Sequence, residues 1–237
     1  MPVRWDTVTV SGQSMRVHIG VPDGETKCAG ILVAQHGPGV DSFVQDAVIR
    51  LFREGYVAAA PELYHRQPAD VKDNVTRIGM LKDDEIVADM NATLAHMKGL
   101  KETAVGPVGI VGFCMGGRVS YLMAAASNEI KACTVFYGGN IMKAWGAPPT
   151  PYERTKDINC PVIGFFGNED TNPSPDDVSK IDAELTRLGK PHEFHRYNGA
   201  GHAFQNFLDP SRWRPRPARG SWSEMLAFFK QHLRTSG

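Results

Sequence analysis

Three residues of the 237-residue chain have the types and order needed for nucleophilic chemistry: Cys114, Asp170 and His202. Cys114 is the centre of Gly112-Phe113-Cys114-Met115-Gly116. A thiol attacks only as its thiolate, so it needs a neighbouring base or cation. His202, ending Asn198-Gly199-Ala200-Gly201-His202, is the candidate. Asp170, ending Gly167-Asn168-Glu169-Asp170, can hold the imidazole in one tautomer and stabilise the imidazolium. Each part alone has an ordinary reading. A Cys in an apolar segment is usually a small hydrophobe, and an Asp after a strand is usually a helix cap. A His in a Gly-rich loop is usually a solvated turn residue, and a Gly-rich strand-to-helix turn can also bind phosphate. The joint arrangement is rarer than its parts and predicts a Cys-His-Asp triad.

Such a triad needs elements to position it. Val108, Ile110 and Val111 suit a buried strand, and 117–126 suits a helix. Strand, sharp turn and helix, with Gly two before and two after the centre, describe a nucleophile elbow. The central residue takes a strained backbone angle, and side chains at the flanking positions would collide with the turn. Met115 follows the nucleophile, so its amide faces the position of a developing oxyanion. Gly37, on the loop after an earlier strand, can supply a second amide.

The remaining patterning predicts a hairpin from 7–10 and 15–21, then strands at 29–35, 56–60, 130–137, 160–166 and 191–197. Helices are expected at 43–53, 83–98, 176–188 and 221–233. Alternating strands and helices imply one α/β domain over 1–237. Its mostly parallel central sheet would have about eight strands, with helices on both faces and ligands at the carboxyl ends of strands. Residues His36, Cys114, Asp170 and His202 all follow predicted strands. The Pro-rich stretch 140–159 reads as an excursion over the site, and 212–219 as a surface crossing before the last helix. Tyr64, Trp145 and Phe204 lie in loops at the active end, where they are candidates for lining a substrate pocket.

Lys plus Arg and Asp plus Glu are both 26, so zero net charge gives no support for a nucleic-acid or anionic-membrane partner. No apolar run approaches membrane-spanning length. The start Met1-Pro2-Val3-Arg4-Trp5-Asp6 shows no export signal, so a cytoplasmic location is expected. Cys28, Cys114, Cys133 and Cys160 form no C-x-x-C pair and no metal-ligand spacing, which suggests reduced thiols. Cys133 and Cys160 read as packing residues. His192 and His195 invite a metal reading, but three apart on a strand they face opposite ways. No metal or cofactor is expected.

The segments Ile-Leu-Val-Ala-Gln at 31–35, Pro-Glu-Leu-Tyr at 61–64, Gly-Phe-Cys-Met-Gly-Gly at 112–117, Phe-Phe-Gly-Asn-Glu-Asp at 165–170 and Gly-His-Ala-Phe at 201–204 carry a resemblance. Over nearly the whole chain the sequence resembles the dienelactone hydrolases (carboxymethylenebutenolidases), a cysteine branch of the α/β-hydrolases. The resemblance implies the α/β-hydrolase fold, Cys114, Asp170 and His202 as the triad, and Met115 and Gly37 as oxyanion amides. Two positions depart from the family pattern. The family has a Glu beside the thiol where this chain has His36. The family also has an Arg four residues after the catalytic His, gripping the substrate carboxylate, where this chain has Asn206. Arg66 and Arg118 are candidate replacements.

The expected activity is cofactor-free hydrolysis of a small ester or lactone through a thioester on Cys114. Neutral substrates should be preferred to the anionic dienelactone. His36 should leave Cys114 more ionised than a Glu would. Two other classes compete: a non-catalytic ligand-binding relative, and a redox-responsive thiol protein. All three triad types being present argues against the first. The lack of a resolving Cys at motif spacing argues against the second. The sequence sets no oligomeric state.

Overall fold

The structure, a computed structural model, describes residues 2–23 and 27–234. Its elements in chain order are β1 (Val3–Val10), β2 (Gln13–Gly20), β3 (Cys28–Ala34), α1 (Ser42–Arg53), β4 (Val57–Pro61), α2 (Asn74–Gly79), α3 (Asp83–Lys98) and β5 (Val105–Phe113). Then follow α4 (Met115–Ala126), β6 (Ile130–Phe136), a single 3-10 turn at Thr155–Asp157, β7 (Val162–Gly167), α5 (Pro175–Arg187), β8 (His192–Tyr197) and α6 (Pro215–His232).

The eight strands make one sheet in the order β1-β2-β4-β3-β5-β6-β7-β8. The hairpin β1–β2 closes through Ser11 and Gly12, both at positive φ (50° and 79°), which matches the right-handed twist of the paired strands. β2 also runs antiparallel to β4, and from β4 through β8 all neighbours are parallel. This is the expected α/β-hydrolase architecture. Alternation along β3 splits the core in two. Leu32 packs with Ile86, Met90, Val119 and Leu122 on one face. Ile31 and Val33 pack with Val48, Phe113, Trp222 and Phe229 on the other. Among the described residues, no helix is long and apolar enough to cross a membrane.

Two elements depart from the sequence expectation. Helix α2 was not anticipated, and none of its residues is buried, so it carries no apolar periodicity to read. Its signal is Asp73, whose carboxylate caps the Thr76 amide at 2.8 Å. Helix α6 begins at Pro215 rather than Ser221, so the stretch 212–219 is partly helical. Pro215 and Pro217 lie in the first turn, where the missing N–H groups would have had no helical partner anyway.

The parallel strands β3, β5, β7 and β8 all end at one edge of the sheet. Their exit loops deliver Gly37, Cys114, Asp170 and His202 to that edge.

Candidate active site

Cys114 stands between β5 and α4 with φ 58° and ψ −121°, a conformation that L residues rarely adopt. The flanking glycines explain how the turn closes. A Cβ on Gly112 would lie 1.9 Å from the Gly116 carbonyl oxygen, and one on Gly116 would lie 2.2 Å from that of Ala34. The Cys114 amide donates to Phe136 O at 3.1 Å, tying the turn to the end of β6.

His202 approaches from the loop after β8. Its Nδ1 lies 2.9 Å from Asp170 Oδ2, which leaves Nε2 for the sulfur. The Asp170 side chain is buried, and its other oxygen accepts from the Asn172 amide at 2.9 Å. Asp170 is not the cap of the following helix: Ser174 caps α5, in a capping box with Asp177. The Tyr137 ring stands edge-on to His202 at 5.3 Å.

These contacts set the charges. Burial opposes a Cys114 thiolate, but hydrogen bonding and attraction from His202 outweigh it, helped by the Met115 and Gly37 amides. The thiol therefore titrates below its ordinary value. Burial likewise opposes an imidazolium, yet the Asp170 and Cys114 partners push His202 up to about 10. Both shifts favour the thiolate–imidazolium form of the pair over the neutral one, and the Met115 and Gly37 backbone amides face the sulfur. Such an arrangement is chemically equipped for acyl transfer.

A cavity of about 360 Å³ opens over this group, lined by Ile78, Asn140, Trp145, Thr171, Asn172 and Arg212. Trp145 is thus where the sequence placed it. The four other candidate substrate-binding residues are not in this lining. Phe204 is fully buried, packed between Tyr137 and Tyr197 in the core. Asn206 turns its side-chain oxygen to the Leu208 amide at 3.1 Å and does not line the cavity. His36 faces away: Nε2 lies 2.8 Å from Asp41 Oδ1, off the line of an aligned hydrogen bond, and the ring packs on Phe43. The strongest influences on Cys114 ionisation are burial, His202 and the Met115 and Gly37 amides. Tyr64 is buried behind the elbow, where its hydroxyl donates to Gly37 O at 2.9 Å and lies 3.1 Å from Met115 Sδ. It bridges the two segments that supply the amides, and the Arg77 guanidinium stacks on its outer face.

Neither candidate replacement Arg reaches the pocket. Arg66 is paired with Asp89 at 2.6 Å, and Arg118 with Asp83. The cation in the lining is Arg212, brought in by the turn 209–213 and held 3.1 Å from Asp209. It was missed because its ten-residue distance from His202 is bridged by a fold-back that no local pattern announces. Ile78 was missed with α2, the helix that carries it. His192 and His195 point to opposite faces as expected, toward Asp182 on α5 and Glu224 on α6.

The family model for the dienelactone hydrolase family matches residues 15–233. The chain belongs to the dienelactone hydrolase family. A Synechocystis protein provisionally named a carboxymethylenebutenolidase is 31% identical over 245 residues, with 98% of each chain covered. A Bradyrhizobium protein provisionally named a 2-oxo-3-(5-oxofuran-2-ylidene)propanoate lactonase is 25% identical, covering 97% of this chain and 94% of its own. The crystal structure of a Klebsiella pneumoniae protein provisionally assigned as a dienelactone hydrolase superposes with a TM-score of 0.89 at 28% identity, covering 97% and 98% of the two chains. As a member of this family the chain is a dienelactone hydrolase-like ester or lactone hydrolase with the α/β-hydrolase fold.

Proposed function

We propose that this dienelactone hydrolase-like enzyme works as one cysteine-hydrolase domain, through a Cys114–His202–Asp170 triad and a thioester intermediate. The observation that carries the reading is a strained elbow cysteine faced by an Asp-bound imidazole and two amides. The Cys114 thiolate adds to the substrate carbonyl carbon, and the Met115 and Gly37 amides hold the oxyanion. The tetrahedral adduct collapses to a Cys114 thioester and expels the alkoxide or enolate, which takes the proton from His202. In a lactone the leaving group stays on the same molecule. His202, now neutral, removes a proton from water as it attacks the thioester. The acid leaves and the thiolate–imidazolium pair is restored. No step needs a cofactor.

The substrate class we infer is a small lactone or ester bearing a carboxylate. Arg212 supplies the cation, and the Bradyrhizobium relative's name is that of an enzyme for such a lactone. This reverses the neutral preference expected from Asn206, which assumed that the position four after His202 faces the substrate. Burial keeps the Cys133 thiol protonated and pushes Cys160 up to about 12, so neither is poised to resolve an oxidised Cys114. Four cysteines without a disulfide suit a reducing, cytoplasmic setting. The test is intact-mass trapping of an acyl adduct during turnover of a slow aryl ester. An adduct mapped to Cys114, absent in inactive Cys114→Ala, is the expected result. Full turnover by Cys114→Ala would overturn it.

A further inference from the structure

Trp145 lines two spaces at once. One is the cavity over Cys114 and His202. The other is a cleft of about 550 Å³, with Val87, Leu122 and Pro148 among its apolar walls and Lys82, Asp84 and Arg154 among its charged ones. Trp145 is the residue they share, and it is 7% exposed. Its place is not left to a mobile loop. The Trp145 amide donates to Asp83 Oδ2 at 3.1 Å, and its carbonyl accepts from the Asp83 amide at 2.8 Å. Asp83 opens α3 and is held by Arg118 of α4 through two bonds of 2.5 and 2.9 Å. The same guanidinium donates to Asn140 O and Lys143 O and stacks on the Trp145 ring at 3.9 Å. Arg118 is fully buried. A bidentate, stacked arginine fixes both the peptide and the ring, which a lysine cannot do.

We infer that Trp145 is a partition that limits substrate length, and that Arg118 is the positioning residue that holds it. The inference rests on the ester-hydrolase reading above and adds to it a size limit with a named cause. The second cleft also touches Trp145, and its apolar part, at Val87, Leu122 and Pro148, would accept a longer acyl or leaving group once the ring is removed. Wild-type enzyme is thereby confined to short substrates, since a methylene that the cleft's apolar part could bury, worth about fourfold, does not reach it past Trp145.

The test compares kcat/KM for p-nitrophenyl hexanoate and acetate. In Trp145→Ala the hexanoate-to-acetate ratio should rise about tenfold or more, given four added methylenes. Trp145→Phe should give a smaller rise, and it carries the test if the alanine variant does not fold. Arg118→Lys should raise the ratio in the same direction without touching the pocket, a response that general destabilisation would not produce. An unchanged ratio in an active Trp145 variant, or equal losses for both esters, would overturn the partition. Titration calorimetry of hexanoate into Cys114→Ala and Cys114→Ala/Trp145→Ala reads the same limit without turnover. Tighter hexanoate binding by the double variant supports the partition even if the ester-hydrolase reading fails. Equal affinity overturns it.

Discussion

Replacing Asp170 by Asn tests the charge state on which the proposed chemistry depends. The substitution keeps the shape and removes the anion 2.9 Å from His202 Nδ1. Opposite charges centred about 4 Å apart attract by about 4 kcal/mol at an effective dielectric of about 20. At about 1.4 kcal/mol per pKa unit, losing that attraction brings His202 from about 10 down to about 7. The thiolate then loses its counter-ion near neutrality, so the Cys114 thiol should titrate higher in the variant. Iodoacetamide alkylation followed against pH reads this directly. The midpoint should move upward in Asp170→Asn, and alkylation at mildly acidic pH should slow. Turnover near pH 7 should fall by about 10² to 10⁴, the upper end being that of a serine triad. Stability carries the same signature. His202 titrates higher folded than unfolded, so its contribution is complete below about pH 6.5 and is lost as pH rises through about 10. The stability gap between wild type and variant should close over that window. An unchanged alkylation midpoint together with unchanged kcat/KM would refute the reasoning.

Three further outcomes follow from the site. Arg212→Ala should raise KM for a carboxylate-bearing lactone about tenfold, the low end for a charge-assisted bond because Asp209 and solvent already share the guanidinium; a neutral aryl ester should change far less, and equal effects on both would remove Arg212 from recognition. Tyr64→Phe removes the hydroxyl that bridges the two amide-bearing segments, so steady-state kinetics should show kcat down about fivefold, with KM little changed, for a bond worth about 1 kcal/mol. Phe204→Ala should act on stability rather than on the pocket, costing about 3–5 kcal/mol in denaturant unfolding while the folded fraction keeps its substrate profile.

The sequence alone determined what depends on short-range sterics and chain order. The glycines around Cys114 announce the elbow because no other residue clears the Ala34 and Gly116 carbonyls. Strand ends placed His202, Asp170 and Gly37 because parallel strands must all exit at one edge. The β-branched and apolar runs located the strands because a buried parallel sheet requires them. Tertiary structure decided wherever a side chain's direction depends on a distant partner. His36 turns to Asp41 and Phe43, Asn206 caps its own turn, and Phe204 fills a core gap between two tyrosines. Arg212 enters the pocket through a fold-back that no periodicity encodes, and α2 brings Ile78 there without a buried face to betray it. Trp145 could be placed in an active-end loop from sequence. That it divides two spaces depends on Arg118 and Asp83, 27 and 62 residues away in the chain. Contacts across such separations are chosen by the packing of whole elements, and one sequence read locally holds no record of that choice.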